Sequence, residues 1–152
     1  MTSKGQKTCS DTNSAGVSDP MRIRAHHLLC MQGFQGYGYT KDFALHMLKV
    51  VDHIINNPLC ELDIITGCDE ICMHCPHKVG EICYKKPHAD ENIKKMDLTV
   101  LEKLGMLEGS KVKAGKIFEE VNQSFKTRED AREVCGNCLW LDKCLWFMRK
   151  PI

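Results

Sequence analysis

The sequence predicts a mainly α-helical fold with a small β element, in which metal-stapled cysteine loops surround a helical core. Three observations carry this. Residues 40–56, "TKDFALHMLKVVDHIIN", have the apolar period of a helix; "LCELDIIT" at 59–66 is the one clear strand pattern; and two tight groups of cysteines lie in irregular sequence. A chain of 152 residues suffices for one domain with a real core. We place that domain at 19–150, behind a polar tail at 1–18 whose Ser, Thr, Gly and Asn content predicts disorder.

The chain divides as follows. In "SDPMRIR", Asp19 and Pro20 could cap a helix, although "MRIR" reads equally well as a short strand. "RAHHLLCM" continues as a helix that the glycine-rich "GFQGYGY" ends. That turn lacks the strand before it and the Lys-Ser/Thr ending of a phosphate loop, so it is read as a tight turn with Tyr37 and Tyr39 placed to cover a site. In the long helix, Phe43, Met47, Val51 and Ile55 form the stripe, widened by Ala44, Leu48 and Ile54. His46 and His53 fall on its polar side, and Pro58 stops it.

Beyond the strand, a cysteine loop starts at Gly67. "DLTVLEKLG" reads as a short helix capped by Asp97 and closed by Gly105, and residues 111–125 read as another helix with Ala114, Ile117, Phe118, Val121 and Phe125 on one face. "TRED" has the form of a capping box and starts a last helix that runs into Cys135.

Bulk composition excludes several functions. A net charge of +1 gives no electrostatic footprint for nucleic acid or for a membrane surface. The first residues lack the apolar core of a secretory signal, and no run approaches the roughly 18 apolar residues of a membrane span. The expectation is a cytoplasmic protein whose thiols stay reduced, with Cys9 a free thiol, Cys60 a buried apolar thiol and no disulfide framework.

Ten cysteines in a reducing compartment then point to metal. Cys72, Cys75 and Cys83 follow the pattern C-x2-C-x7-C, and Cys135, Cys138 and Cys144 follow C-x2-C-x5-C. One CxxC is weak evidence, whereas two, each with a third thiol close by, are strong. Structural zinc usually joins two CxxC pairs roughly fifteen to twenty residues apart. Here each pair has its own third cysteine. Pro76 after Cys75 matches ferredoxin-like runs, and Ile71, Ile82, Leu139, Trp140, Leu145, Trp146 and Phe147 provide an apolar shell. Iron–sulfur, as a [4Fe–4S] cluster, is favoured over Zn2+.

Each triplet needs a fourth ligand. On a helix through "HHLLC", Cys30 shares a face with His26 and His27. The six triplet cysteines, Cys30 and His27 make two four-coordinate sets. Cys68 could substitute for a ligand, and His74 and His77 flank Cys75.

"RAHHLLCMQGFQGYGYTKDF", "TGCDEICMHCPHKVGEIC" and the final "CGNCLW…C" together resemble the family catalogued as domain of unknown function 1284, over roughly residues 22–146. The resemblance maps the family pattern onto Arg24, His26, His27 and Cys30, onto Cys72, Cys75 and Cys83, and onto Cys135, Cys138 and Cys144. It implies an iron–sulfur centre and brings no reaction with it.

Three functions follow as expectations. The first is an iron–sulfur protein that transfers electrons or senses redox state with a partner protein. The second is a zinc-stapled interaction module. The third is an enzyme whose cluster has three cysteine ligands and one open iron, with His26 or His27 as acid/base and Arg24 as anion anchor.

Overall fold

In a computed structural model, residues 20–80, 82–83, 89–136, 138 and 140–151 are described. The tail, Cys9, Asp19, His88 and Leu139 lie outside these residues.

The "MRIR" alternative resolves as a strand. β1 (Met21–Arg24) pairs in parallel with β2 (Glu61–Ile65), which sits in the middle of a three-stranded sheet. Between them run α1 (His27–Gly33) and α2 (Lys41–Ile55). The third strand, β5 (Ser110–Lys113), pairs antiparallel with β2, Leu62 facing Val112. A second ribbon joins β3 (Lys78–Val79) to β4 (Ile82–Cys83). The remaining helices are α3 (Ala89–Leu104), α4 (Ala114–Ser124), α5 (Arg128–Cys135) and α6 (Leu145–Met148). The fold is mainly α with a small β element.

Several elements differ from their sequence reading. The helix expected from 111 begins at Ala114, because Ser110–Lys113 follow the Gly109 turn (φ +89°) and complete the sheet along β2. The buried face of α2 is Phe43, His46, Met47, Val50, Val51 and Ile54, while Leu48 and Ile55 are exposed. His46 is therefore not on a solvated face. Its Nε2 hydrogen-bonds the Glu70 carbonyl at 2.8 Å, and its ring stacks on His74, so the buried imidazole is satisfied. Thr40 caps α2 by accepting from the Phe43 amide.

The largest revision concerns α3. The short helix expected to start at Asp97 is a 16-residue helix from Ala89, with Asp97 in its middle and fully buried. Its first half is polar and offered no apolar period; Asp90 and Lys94 pair across one turn there. α5 starts at the expected capping box, Thr127 accepting from the Asp130 amide and Asp130 accepting from Thr127.

The core lies between one face of the sheet and the helices. Ile23, Leu28, Leu62, Ile64, Ile117, Val121 and Phe125 are sealed from solvent, and each such side chain contributes roughly 1.5–3 kcal/mol by burial. Two polar corners interrupt this core, and both carry cysteines.

Candidate metal centres

The first corner is built on the end of α1. Gly33 packs so tightly on the C-terminal loop that a Cβ there would stand 2.3 Å from Cys144 Sγ and 2.9 Å from the Trp146 amide nitrogen. That close approach brings Cys30, one turn earlier, to the thiols at the end of α5 and in the loop beyond it. Every pair among Cys30, Cys135, Cys138 and Cys144 interacts electrostatically.

Burial, reinforced by these sulfur neighbours, pushes the Cys30 thiol well above its ordinary range and the Cys135 thiol up to about 12. Burial also raises Cys144, against the opposing effect of the Phe147 and Trp146 amides that point at its sulfur. The Trp140 amide donates to Cys138 Sγ at 3.4 Å. Trp146 and Phe147 are buried beside the site, and Lys150 is a cation near Cys135 and Cys144, held over the Trp146 ring at 3.9 Å. The arrangement gathers four thiols, three of them raised by burial, and aims backbone N–H groups at two of their sulfurs.

Four thiols can hold one zinc ion or an iron–sulfur cluster, and the two differ in sulfur spacing. Four thiolates on one tetrahedral zinc stand about 3.8 Å from each other, given a Zn–S distance of roughly 2.3 Å. Among the described residues, the only three potential ligands within 4.8 Å of one another are His27, Asp69 and Cys72, so no three of the four thiols approach so closely. A cluster binds each thiolate to its own iron and so holds the sulfurs further apart. The donor set suits either group, four thiolates on one zinc ion or one thiolate on each iron of a cluster.

The second corner lies where β1 turns into α1, and two buried aspartates knit it. Asp97 of α3 accepts from Arg24 Nε at 2.9 Å, from the His26 amide at 2.9 Å and from His26 Nδ1 at 2.8 Å. Arg24 Nη2 stands 2.9 Å from the same carboxylate. Burial alone would lower the Arg24 pKa, but the Asp97 charge and hydrogen bond outweigh it and raise it. His26 is pushed down by burial and by the neighbouring His27.

Asp69, just past β2, accepts from the Arg24 amide at 2.7 Å, from His27 Nδ1 at 2.8 Å and from the Cys72 amide at 3.1 Å. Burial opposes its ionisation, yet His27 and these hydrogen bonds hold it at about 2. Cys72 shares a sulfur–sulfur hydrogen bond with Cys68. That contact lowers the Cys68 thiol to about 7 and raises Cys72.

The sequence-derived sites are thus redistributed. Cys30 joins Cys135, Cys138 and Cys144, while Cys72 lies with Cys68, Asp69 and His27. Cys72, Cys75 and Cys83 do not form a three-ligand group within 4.8 Å. Cys75 ends the short 3-10 turn Ile71–His74, and Cys83 sits opposite Lys78 in the ribbon, its amide donating to Asp90. Arg24 and His26 are committed to Asp97. His74 pairs with Asp42 at 2.7 Å. Tyr39 lies between the two cysteine loops, edge-on to His77 at 4.8 Å and to Trp140 at 5.8 Å. Cys60 is buried, and among the described cysteines it alone is not a free thiol.

Sequence reasoning passed over Asp69 and misread Asp97. For Asp97 a signal existed: it falls on the same helical face as Val100 and Leu101, where a carboxylate needs a partner. Asp69 had only its place between Cys68 and Cys72.

Among the described residues, no helix is long and apolar enough to cross a membrane. No curated protein and no solved structure matches the chain. A family profile does match, over residues 38–144, a span that includes both CxxC motifs and begins after Arg24, His26, His27 and Cys30. That span is most of the chain, and the protein belongs to the family described as protein of unknown function (DUF1284).

Proposed function

We propose that this is an iron–sulfur protein, with a [4Fe–4S] cluster held by Cys30, Cys135, Cys138 and Cys144, that transfers electrons or senses redox state with a partner protein in the cytoplasm. The observation that carries the reading is the mutual approach of four thiols from two distant segments, with no three of them within 4.8 Å of one another. Burial first, and then the neighbouring sulfurs, raise the Cys30, Cys135 and Cys144 thiols, so a bound cation would favour their thiolate forms. A bound cluster would supply a one-electron couple.

The chain's own contribution is to exclude water and orient the sulfurs. Trp146 and Phe147 form an apolar wall, and the Trp140, Trp146 and Phe147 amides point at sulfur, contacts that tune a cluster's potential. Cys30 completes the set, so each iron would have a protein ligand. This favours electron transfer over an enzyme with an open iron. The commitment of Arg24 and His26 to Asp97 points the same way. Among the described cysteines, all but Cys60 stand outside a disulfide, which supports a reducing compartment.

Anaerobic iron and sulfide analysis tests the reading. Purified protein should carry both, with a broad visible absorption that bleaches on reduction, and Cys138→Ser should lose it. Colourless protein with zinc and no sulfide would establish the zinc-stapled alternative instead.

A further inference from the structure

The β1–α1 corner holds a second convergence of donors, and its chemistry is not that of a cluster. One ligand atom from each of His27, Asp69 and Cys72 lies within 4.8 Å of the others. Cys68, four residues before Cys72, acts on the Cys72 sulfur and stands at the edge of this group, not within 4.8 Å of all three donors. We propose that His27, Asp69, Cys72 and Cys68 form a binding site for one zinc ion, separate from the four-cysteine centre.

The donor types select the metal. Imidazole, carboxylate and two thiolates together suit a borderline ion such as zinc, whereas a cluster of four irons draws mainly on thiolates. The positions also fit. Zn–S is roughly 2.3 Å and Zn–N roughly 2.0–2.1 Å, so donors around one ion stand somewhat under 4 Å apart. The His27, Asp69 and Cys72 donor atoms all lie within 4.8 Å of one another, close to that separation.

The setting is prepared for the charge. Asp69 and Cys68 are buried, at 5% and 4% exposure, so two negative donors would be costly there without a cation. Arg24 lies within electrostatic reach of Cys68, Cys72 and Asp69, and moderates the excess charge that two thiolates and a carboxylate bring. His27 Nδ1 and Asp69 Oδ2 already stand 2.8 Å apart, close enough for both to face one ion. The donors come from two segments, α1 and the loop after β2, so one ion would tie them together.

None of these four residues belongs to the four-thiol centre, and the inference stands or falls independently of the cluster. The full chain, purified without oxygen and stripped with chelator, is titrated with Co2+ as the probe for zinc. The wild type should show thiolate-to-cobalt charge transfer. Cys72→Ser, Cys68→Ser and Asp69→Ala should each lose one equivalent of metal per chain. Cys75→Ser should keep that equivalent, and none of these changes should alter the metal bound through Cys135 and Cys138.

A Cys72→Ser chain that failed to fold would also lose metal, so wild-type protein supplies the second measurement. X-ray absorption of the zinc-loaded chain should give a mixed shell of sulfur with nitrogen or oxygen. An all-sulfur shell overturns the site. So does full metal retention in folded Cys72→Ser, or loss in Cys75→Ser with Cys68→Ser unaffected.

Discussion

At the C-terminal corner, four thiols meet among tryptophan and phenylalanine side chains, and the approach is set by a glycine that leaves no room for a methyl. At the β1–α1 corner, charge and hydrogen bonds do the positioning: two buried carboxylates hold one arginine and two histidines within 3 Å. One corner is assembled by shape and the other by electrostatics. The difference predicts how each should fail. A change of charge should damage the β1–α1 corner and spare the other; a change of volume should do the reverse.

The largest effect is expected at Asp97. Asp97→Asn leaves the Arg24 guanidinium, 2% exposed, without its counter-charge. Removing one partner of such a pair costs about 3–5 kcal/mol. Urea unfolding should show a loss of that size, and the folded fraction should still assemble the four-thiol centre. A loss below about 1 kcal/mol would mean that electrostatics do not hold this corner.

Next comes Gly33→Ala. The new methyl meets Cys144 Sγ at 2.3 Å and backbone at 2.9 Å, so something must shift. Overpacking of this kind costs about 1–3 kcal/mol. The sharper readout is metal: iron should fall with Gly33→Ala, while Co2+ binding through Cys72 is unchanged. If both fall together, the two corners are not independent.

Thr127→Ala is smaller, at about 1 kcal/mol, because it removes one cap contact. It frays the start of α5, whereas Cys135 is at the end of that helix. Thermal unfolding should shift downward and metal content should stay.

How much of this was legible in the sequence depends on the range of the contact. Local signals sufficed for β2, for the extent of α2 and for the Thr127 capping box, because periodicity and cap chemistry act within a few residues. They could not register α2 correctly, since the buried face depends on a carbonyl at Glu70 that satisfies His46. Nor could they extend α3 through its polar first half or turn residues 110–113 into a strand, which required β2 as a neighbour. The same limit applies to the thiols. Spacing groups Cys135, Cys138 and Cys144 and offers Cys30 to either triplet; only the packing of Gly33 assigns it. Spacing also grouped Cys72 with Cys75, while the structure puts Cys72 beside Cys68, His27 and an aspartate 42 residues from that histidine.

The smallest effect, and the finest test of the contrast, lies at Lys150. Its ammonium sits near Cys135 and Cys144, held by the Phe125 carbonyl and the Trp146 face. Its charge acts on the Cys135 and Cys144 sulfurs, while the Asp97 charge bears on Cys30. A cation favours the more negative, reduced form of any centre bound there, so Lys150→Met should make the midpoint potential more negative while leaving iron and sulfide content intact. Because Lys150 is partly exposed, added salt screens its field, and the difference between variant and wild type should shrink as ionic strength rises. The measurement is a redox titration of both proteins at low and high salt. An unchanged potential at low salt would show that the corner is governed by burial and amide contacts alone. A loss of iron would show that Lys150 positions the loop rather than acting through its charge.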